Sequence, residues 1–352
     1  MSLVASGPSA CDEQAVSDGG IVLASVRCRT LVLIAIVIAC STAASKDLIK
    51  GLLLVVNSGD DSVALVDLKS SEVIQKISTR AHPQDAVITL DGSLAYVAEM
   101  GTEDTPGNTV AVIDLRTRRV VRRFSLGLAT RPHLLALSRD GSTLWVACAP
   151  ENAIVEADTG KEAVRRLWDT KQKGSYLLAP TPDGEKLYVT NFDAGSISII
   201  HRADASVRIV PFRGQPIGID VSPDGREVWV SNLQENSIAV MDNATEQIVR
   251  TFPSGGIGPA RLKFTPNGKQ VWVTHMRSND LVVFDVVLRH VLRRISTGRG
   301  SKGLLLLPDS RHAFVSAMDD SQVVQVDAKA GQILQRIATG PAPEGLAWVD
   351  KQ

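Results

Sequence analysis

The chain has 352 residues, of which 44% are apolar and 22% charged, so it can bury a large core and is not a disordered protein. Lys and Arg together number 38, as do Asp and Glu, and this balance provides no overall field to attract nucleic acid or an anionic membrane. Of four cysteines only Cys148 lies beyond residue 45, which excludes an intramolecular disulfide framework in the body of the chain.

The first 45 residues have the pattern of a secretory signal. Arg27 and Arg29 precede an apolar run, Leu31–Ala39, and small residues follow it. Nine residues of helix span about 14 Å, which is too short for a hydrocarbon core of about 30 Å. We therefore expect an N-terminal extension and export signal over residues 1–45, and a periplasmic or secreted protein.

The end of the apolar run leaves two forms of processing open. Val37-Ile38-Ala39-Cys40 resembles a bacterial lipobox, in which Cys40 would become the lipidated first residue. The alternative is simple cleavage after Ala43 or Ala44. Contact with a membrane is expected only through that lipid anchor.

From residue 50 onward the chain repeats with a period of about 42 residues. An Asp-Gly turn or its equivalent begins at Asp91, Asp140, Asp183, Asp224, Asn267 and Asp309. Eight residues before each stands a Pro or Ser, at Pro83, Pro132, Ser175, Pro216, Pro259 and Ser301, and Pro343 adds a seventh. The apolar runs between these marks are short and rich in β-branched residues, which indicates strands and leaves no room for helices.

Four short strands per period, lettered a to d from the channel outward, are typical of a β-propeller blade. Strand b is predicted at Leu52–Asn57, Leu94–Glu99, Leu144–Ala149, Leu187–Phe192, Val228–Leu233, Val271–Met276 and Ala313–Met318. Strand a precedes only six of these, and its seventh copy, Glu344–Val349, comes at the C terminus. The sequence therefore predicts an all-β, seven-bladed propeller over residues 46–352, in which the C-terminal strand closes the first blade and removes both free edges.

One strand carries a recognisable signature. Tyr188-Val189-Thr190-Asn191 spells the motif of the YVTN-repeat propellers, and variants stand at Trp145–Cys148, Trp229–Asn232 and Trp272–His275. The pattern of the repeat resembles that family over residues 50–350. The resemblance implies a propeller fold. It leaves activity open, since similar propellers serve as binding scaffolds, lactonases, lyases and quinoprotein-associated subunits.

Polar side chains gather where strand a enters the channel. In a propeller the d–a and b–c loops share one face, here called the loop face, and the two residues after each Pro or Ser lie at the channel mouth. The candidate ligand-binding residues there are Gln84, Asp85, His133, Tyr176, Arg261, Lys302 and Glu344, and His82, which directly precedes Pro83 on the loop face, is added to them. Elsewhere in this ring Gly218, Gly303 and Gly345 would let the backbone crowd the axis.

Three interpretations of this ring are open. The first is a metal site, for which His82, Asp85 and His133 with nearby Glu99 are weak support because no Cys/His ligand spacing exists, and we predict none. The second is a lactonase-like or lyase site with His133 or Glu344 as acid or base. The third, which we favour, is a hydrated and mutually neutralising mouth that serves at most for binding.

The function we expect is a binding or scaffold module, with a lactonase-like hydrolase or lyase as the alternative. An insertion within Met100–Thr109 enlarges one b–c loop on the loop face and suits recognition of a partner. The partner is an unknown protein or small molecule and not nucleic acid, the protein is expected to be a monomer, and the sequence identifies no cofactor. Rossmann, P-loop, nucleophile-elbow and HExxH patterns are absent from the sequence.

Several other conspicuous residues have structural interpretations. Cys148 ends a predicted strand and is expected to be a packed thiol. The tryptophans Trp145, Trp229 and Trp272 share one repeat position and are expected to pack between blades. The histidines His201, His290 and His312 fall on the face opposite the loop face, where we expect surface or turn positions.

Overall fold

The computed structural model describes residues 49–149 and 152–350, and the predicted export signal with Cys40 lies outside these ranges. The described chain forms seven four-stranded antiparallel sheets, which confirms the predicted all-β, seven-bladed propeller. Its helical structure is limited to one 3₁₀ turn at Met318–Asp320. Within the described part, no helix has the length and apolar character needed to cross a membrane.

The strands follow the chain in order, and strand a of the first blade comes last. The first three blades contain β1 (Leu52–Asn57), β2 (Ser62–Asp67), β3 (Glu72–Ser78), β4 (Pro83–Ile88), β5 (Leu94–Gly101), β6 (Pro106–Asp114), β7 (Arg119–Ser125), β8 (Pro132–Leu137), β9 (Thr143–Cys148), β10 (Ala153–Asp158) and β11 (Ala163–Asp169). The next two contain β12 (Ser175–Pro180), β13 (Lys186–Asn191), β14 (Ser196–His201), β15 (Val207–Pro211), β16 (Pro216–Val221), β17 (Glu227–Asn232), β18 (Ser237–Asp242) and β19 (Gln247–Pro253). The remaining strands are β20 (Pro259–Phe264), β21 (Gln270–His275), β22 (Asp280–Asp285), β23 (Val291–Ser296), β24 (Ser301–Leu306), β25 (His312–Ala317), β26 (Gln322–Asp327), β27 (Gln332–Ala338) and β28 (Pro343–Val349). Blades 2 to 7 therefore begin at β4, β8, β12, β16, β20 and β24.

The ring closes as the sequence predicts. Strand β28 pairs antiparallel with β1, with Leu52 opposite Val349 and Leu54 opposite Ala347. The first sheet thus has the order β28-β1-β2-β3, with one strand from the C terminus and three from the beginning of the propeller. Because this pairing occupies the inner edge of β1, closure removes a free edge that would otherwise be able to pair with another chain.

The core lies between neighbouring blades, because strands b and c are covered on both faces while strand d is mostly exposed. Strand β9 is buried along its whole length, and Cys148 at its end is buried as predicted. The three repeat-equivalent tryptophans, Trp145, Trp229 and Trp272, are each at most 1% exposed, which confirms their packing between blades. Strand β11 by contrast is exposed at every residue except Trp168.

The Asp-Gly repeat forms the tight turn between strands a and b. Gly92 has φ +69°, a value that a side chain would disfavour. The carboxylate of Asp91 accepts a hydrogen bond from Thr89 Oγ1 at 2.6 Å and another from the Ser93 amide at 3.0 Å. The dipeptide therefore supplies both the backbone conformation and the acceptor that this turn requires.

The insertion in the second blade is more regular than a loop. Strands β5 and β6 extend into it as far as the pair Gly101 and Pro106. The tip is a short turn in which the Thr102 amide donates to the Thr105 carbonyl at 3.0 Å, and it exposes Glu103 and Asp104. The insertion is thus a hairpin that projects two carboxylates from the loop face.

Candidate functional site

The mouth residues lie at β-bulges. The pairing of strand a with strand b shifts register between Pro83 and Ala86, between Pro259 and Leu262, and at the same place in the other blades. A bulge leaves its residues outside the regular pairing and redirects their side chains. The two residues that follow the Pro or Ser are therefore outside the regular pairing in six blades, and in the third blade His133 alone is, since Leu134 pairs with Ala147.

In blades 4 to 7 a hydroxyl group from strand b supports the bulge. Ser231 Oγ accepts a hydrogen bond from the Gly218 amide at 2.8 Å and donates one to the Ala260 carbonyl of the next blade at 2.6 Å. Thr274 connects Arg261 to the Lys302 carbonyl in the same way, at 3.2 and 2.7 Å. These hydroxyls satisfy backbone groups that the bulge removes from the sheet and tie neighbouring inner strands together.

The predicted crowding at the ring glycines is confirmed. A Cβ atom on Gly218 would lie 2.1 Å from the Ala260 carbonyl oxygen, and one on Gly303 would lie 2.0 Å from that of Glu344. A Cβ atom on Gly345 would come within 2.6 Å of Asp85 Cα. At this position, two residues after the Pro or Ser, a side chain is therefore possible only in blades where the neighbouring strand a leaves room for it. Asp85 and Arg261 stand at this position in two such blades.

Arg261 and Asp85 form an ion pair across the channel, since they belong to the sixth and second blades. Arg261 Nη2 lies 4.0 Å from Asp85 Oδ1, which is beyond hydrogen-bond distance, and the two side chains are 12% and 10% exposed. Asp85 Oδ2 accepts a hydrogen bond from the Leu135 amide at 3.1 Å. Burial raises the pKa of Asp85 despite the opposing effects of Arg261 and the Leu135 amide. The Arg261 guanidinium donates no hydrogen bond to any residue in the described ranges.

His133 and Tyr176, from adjacent blades, stack with ring centroids 4.1 Å apart. His133 is 6% exposed, and its Nδ1 has no hydrogen-bond partner in the described part of the chain. Burial, together with the positive charges of Lys302 and Arg261, holds the pKa of His133 well below its usual value. The imidazole is therefore neutral at pH 7.

Lys302 and Glu344 form the second ion pair of the mouth, with Nζ and Oε2 2.7 Å apart and side chains 14% and 8% exposed. Glu344 also accepts a hydrogen bond from Ser58 Oγ at 3.3 Å. Burial alone would lower the pKa of Lys302, but Tyr176 and Glu344 outweigh it and hold the pKa above its usual value. Lys302 is thus a cation with its own carboxylate, in contrast to Arg261.

Beyond the mouth, the channel holds a cavity of about 180 Å³ lined by strand a of all seven blades, including Asp85, Arg261 and Glu344. Its lining also includes Asp220 and Lys263, which the sequence analysis missed. Lys263 Nζ lies 3.1 Å from Asp220 Oδ1, and Asp220 Oδ2 accepts from the Phe264 amide at 2.8 Å. Both stand four residues after the Pro that begins strand a, Pro216 and Pro259, so a comparison of that position across the repeats could have identified them.

Two predicted site residues differ from the rest. His82 is exposed, precedes Pro83 with φ +49°, and occupies a place that Gly258 and Gly300 fill in other blades. Its amide donates to Asp61 Oδ1 at 2.8 Å. Gln84 is buried at the bulge beside Gly345. The structure therefore places His82 in the d–a loop, outside the lining of the channel cavity.

We define the mouth cluster as Asp85, His133, Tyr176, Arg261, Lys302 and Glu344. The described residues contain no group of three His, Cys, Asp or Glu side chains that could hold a metal ion. Glu99, which the metal interpretation needed, is occupied by protein donors: Arg123 Nε lies 2.9 Å from both of its oxygens, and Thr109 Oγ1 donates at 2.7 Å. Glu99 is therefore held by protein donors and is not open to a further ligand.

A serine, a histidine and an aspartate in blade 6 have the order of a hydrolytic triad. Ser254 Oγ lies 3.2 Å from His275 Nε2, and His275 Nδ1 lies 3.0 Å from Asp280 Oδ1. Neither Ser254 nor His275 has any exposed surface, and a Cβ atom on Gly256 would lie 2.6 Å from the His275 ring. Because no substrate can reach the serine, this buried group is structural: a hydrogen bond joins Ser254 of the d–a loop to His275 of strand b, and Asp280 of strand c lies beside the histidine.

One histidine on the opposite face departs from expectation. His312 was predicted at the surface or in a turn, but it begins β25 and is 5% exposed. Its Nδ1 lies 2.5 Å from Asp309 Oδ2, and its Nε2 lies 3.9 Å from Asp327 Oδ2. Burial here comes from packing of the a–b turn against the end of strand c, which the linear repeat does not reveal.

Larger clefts lie at the outer parts of the blades. One of about 510 Å³ on the loop face is lined by Phe212, Asn232 and Ile248, and one of about 580 Å³ on the opposite face by Pro223, Glu227 and others. In the first cleft Asn232 bonds to the Arg213 carbonyl and the Gln215 amide, and in the second Arg289 pairs with Glu227 although its Nη1 has no partner among the described residues. The channel mouth is the stronger candidate site despite its smaller volume, because it brings charged and polar side chains from six blades together.

Comparison with known proteins confirms the resemblance drawn from the sequence. Residues 219–312, which run from the fifth blade to the start of strand b in the seventh, match the family of YNCE-like β-propellers. No curated protein sequence matches this chain. The chain is thus a seven-bladed propeller that is similar to this family over about a quarter of its length.

Solved structures of similar fold have different functions. Hydrazine synthase from Kuenenia stuttgartiensis has a TM-score of 0.70 and 20% identity, covering 79% of this chain and 92% of its own. A periplasmic gluconolactonase from Pseudomonas aeruginosa has a TM-score of 0.69 and 19% identity, covering 85% and 99%. A functionally unknown protein from Desulfotomaculum acetoxidans has a TM-score of 0.71 and 16% identity, covering 86% and 100%. At these identities the likeness establishes the fold alone.

Proposed function

We propose that this protein is a binding module that takes a small polar ligand at the mouth of its central channel. The observation that carries the proposal is the set of unsatisfied groups in the mouth cluster. The Arg261 guanidinium makes no hydrogen bond to the described residues, and His133 Nδ1 is buried without a partner there. Buried polar groups are almost always paired in folded proteins, and groups left open at a concave site mark a ligand position.

The size of the channel limits the ligand. A cavity of about 180 Å³ is smaller than the 300 Å³ or more that is usual for drug-sized ligands. It would hold about six water molecules. The ligand therefore has few heavy atoms or enters the channel with only one end.

The test is equilibrium binding of a panel of small sugars, sugar acids, lactones, polyols and amino acids, measured by calorimetry. We expect at least one class to bind, and the double substitution Tyr176→Phe with Arg261→Met to weaken it. The matched control is Arg226→Met, because Arg226 is an exposed arginine in an a–b turn of the opposite face. A panel without binding, or binding that the mouth substitutions leave unchanged, would reject this function.

Recognition of a protein partner by the loop face is the other possibility, and a deletion in the hairpin distinguishes it from binding of a small ligand. Removal of residues 101–105 shortens the projecting hairpin to the length of the b–c connection in the first blade, where Asn57 pairs with Ser62. If the module recognises a small ligand at the channel, this deletion leaves binding of the small molecule intact. Loss of a protein partner together with unchanged ligand binding would assign recognition to the hairpin instead.

A lactonase-like hydrolase is the second candidate, and its support is an imidazole with an unpartnered nitrogen, His133 Nδ1, at the same mouth as the Arg261 guanidinium. A neutral histidine can accept a proton from water as the water attacks a lactone carbonyl, and Arg261 can stabilise the developing oxyanion. Opening of the ring C–O bond then returns a proton to the leaving alkoxide and yields a hydroxycarboxylate. Hydrolysis of δ-lactones releases a proton, and a pH-stat assay of the wild type and His133→Asn tests whether the protein catalyses it. Turnover that the substitution abolishes would make the protein an enzyme.

Export belongs to the same proposal. The support is the basic, apolar and small-residue sequence of residues 27–45 with Cys40. Mass spectrometry of the mature N terminus distinguishes a diacylglyceryl-Cys40 from a free Ala44 or Ser45. An intact Met1 would reject export.

A further inference from the structure

The charge balance of the mouth cluster leaves one cation without a close partner. Lys302 has Glu344 at 2.7 Å, and in the channel beyond, Lys263 has Asp220 at 3.1 Å. Arg261 has only Asp85 at 4.0 Å, a carboxylate whose hydrogen bond goes to the Leu135 amide. Each of these cations has a carboxylate, but that of Arg261 is too distant for a hydrogen bond.

This arrangement is costly unless something else takes the donors. A guanidinium has five N–H groups in a rigid plane and no acceptor. The Arg261 side chain is 12% exposed and its open nitrogens keep some contact with solvent, yet a charge that is so largely buried is normally paired and hydrogen-bonded. Elsewhere on the loop face Arg123, which is more exposed at 30%, donates from one nitrogen to both oxygens of Glu99. The fold therefore pairs arginine where pairing is structural and leaves Arg261 open.

The open groups of Arg261 and its neighbours form one site. Arg261 lies 4.0 Å from Asp85, whose carboxylate accepts from the Leu135 amide two residues beyond His133, and Thr274 joins Arg261 to the Lys302 carbonyl. Tyr176 stacks on the His133 ring, and both cations lower the pKa of that histidine. The Tyr176 hydroxyl makes no hydrogen bond to the described residues, and it is near enough to raise the pKa of Lys302. Guanidinium, hydroxyl and imidazole nitrogen are thus unpartnered polar groups around one concave opening.

We propose that the ligand of the channel mouth is a small monocarboxylate, held through its carboxylate by the Arg261 guanidinium. A planar carboxylate matches two parallel N–H groups of the guanidinium, and Tyr176 and His133 remain for a hydroxyl group elsewhere on the acid. Asp85 and Glu344 lie beside the site, so each further negative charge on a ligand adds repulsion, and a dianion such as phosphate would be repelled more strongly than a monocarboxylate. This inference rests on the proposed binding function and specifies its ligand.

The experiment is calorimetric titration at pH 7 with lactate and gluconate as carboxylates, sorbitol as a neutral polyol and inorganic phosphate as a dianion-forming control. We expect carboxylate binding in the wild type and a Kd about 10- to 100-fold higher in Arg261→Met, as loss of charge-assisted hydrogen bonds predicts. Arg261→Lys, which keeps the charge without the planar fork, should give an intermediate Kd. Arg226→Met should bind as the wild type does, and thermal melts confirm that each variant is folded.

Three results would overturn the inference. Carboxylate binding unaffected by Arg261→Met would place the carboxylate elsewhere, and phosphate binding tighter than either carboxylate would contradict the charge argument. Binding of sorbitol without binding of either carboxylate would overturn the ligand assignment but leave the proposed binding function standing. If every member of the broader panel failed to bind, the proposed function itself would fall.

Discussion

Glu99 and Arg261 are both nearly buried charged residues on the loop face of the propeller, and their surroundings differ. The Glu99 carboxylate accepts from the Arg80 amide at 3.0 Å, from Thr109 Oγ1 at 2.7 Å and from Arg123 Nε at 2.9 Å to each oxygen. The Arg261 guanidinium makes no hydrogen bond in the described part of the chain, and its carboxylate stands 4.0 Å away. Burial and charge therefore do not distinguish the two residues. They differ in saturation, by which we mean whether the charged group has hydrogen-bond partners within the protein.

The difference follows from position in the blade. Glu99 lies on strand b, where a loop and a strand c on the same blade reach it, and structure can saturate it locally. Arg261 lies on a bulge of strand a, where its counterion comes from the opposite side of the channel. The channel width is set by seven blades together, so one side chain cannot adjust it. The saturated Glu99 holds strands b, c and d of its blade and the entering loop together, and we propose that the unsaturated Arg261 at the axis serves a ligand.

The largest expected effect comes from the element that serves both regions. Strand β28 closes the ring against β1 and also carries Glu344 of the mouth cluster. Truncation before Pro343 removes the inner strand of the first sheet and exposes the buried inner edge of β1. We therefore expect the truncated protein to aggregate and to lose its cooperative unfolding transition. Circular dichroism during a thermal melt checks this. A truncated protein with an unshifted cooperative transition would contradict the described closure.

Removal of the saturated group should cost considerable stability. In Glu99→Ala the Arg80 amide, the Thr109 hydroxyl and the buried end of Arg123 lose their acceptor, and we expect the free energy of unfolding to fall by about 2–4 kcal/mol. Urea denaturation measures it. Glu103→Ala, at the exposed hairpin tip, is the control and should change the free energy by less than about 0.5 kcal/mol. Equal effects of both substitutions would show that the Glu99 network contributes nothing.

The neutral histidine of the mouth should make stability depend on pH. An unfolded histidine titrates near pH 6.5, and the pKa of folded His133 is well below that value because of burial and the nearby Lys302 and Arg261. Between the two pKa values the unfolded chain binds more protons, so stability falls as the pH falls below about 6.5. Between pH 7.5 and 5.5 the free energy of unfolding of the wild type should fall by about 1 kcal/mol more than that of His133→Asn. Urea denaturation at several pH values measures both. If the two free energies of unfolding changed equally with pH, the burial of a neutral imidazole would be contradicted.

Removal of the unsaturated group should have the smallest effect on stability. Arg261→Met replaces an unpaired charge with an apolar side chain of similar length, and we expect the free energy of unfolding to change by less than about 1 kcal/mol in either direction. The same urea titration as for Glu99→Ala gives the comparison directly. A loss as large as that of Glu99→Ala would mean that Arg261 is a structural residue, and the distinction between the two sites would disappear.

Much of the fold was predictable from the repeat. The offset of eight residues between Pro or Ser and the Asp-Gly turn places strand a, and the displaced seventh copy at Pro343 predicts the closure that β28 and β1 make. Strand bounds agree to within a few residues, and the greatest difference is at β5, which extends beyond Glu99 to Gly101 because the inserted hairpin continues its pairing. These features depend on local turn chemistry and period, which are written along the chain.

The candidate site was predictable in composition but not in pairing. Alignment of the repeats identifies the side chains that reach the mouth, including Arg261 and His133, and the glycines that only a close backbone approach explains. It does not reveal that Lys302 pairs with Glu344 while Arg261 spans the channel, or that His312 is buried and His82 exposed. Each of these facts depends on distances between blades.

The sequence by itself therefore determined the number of blades, their closure and the identity of the residues at the axis, since all three follow from spacing along one chain. Only the tertiary structure decided which of those residues have their hydrogen bonds satisfied. Saturation depends on ångström-scale distances between groups that are 40 to 200 residues apart in sequence, as with the 4.0 Å between Arg261 and Asp85. A ring of seven blades sets such distances collectively, and no local pattern encodes them.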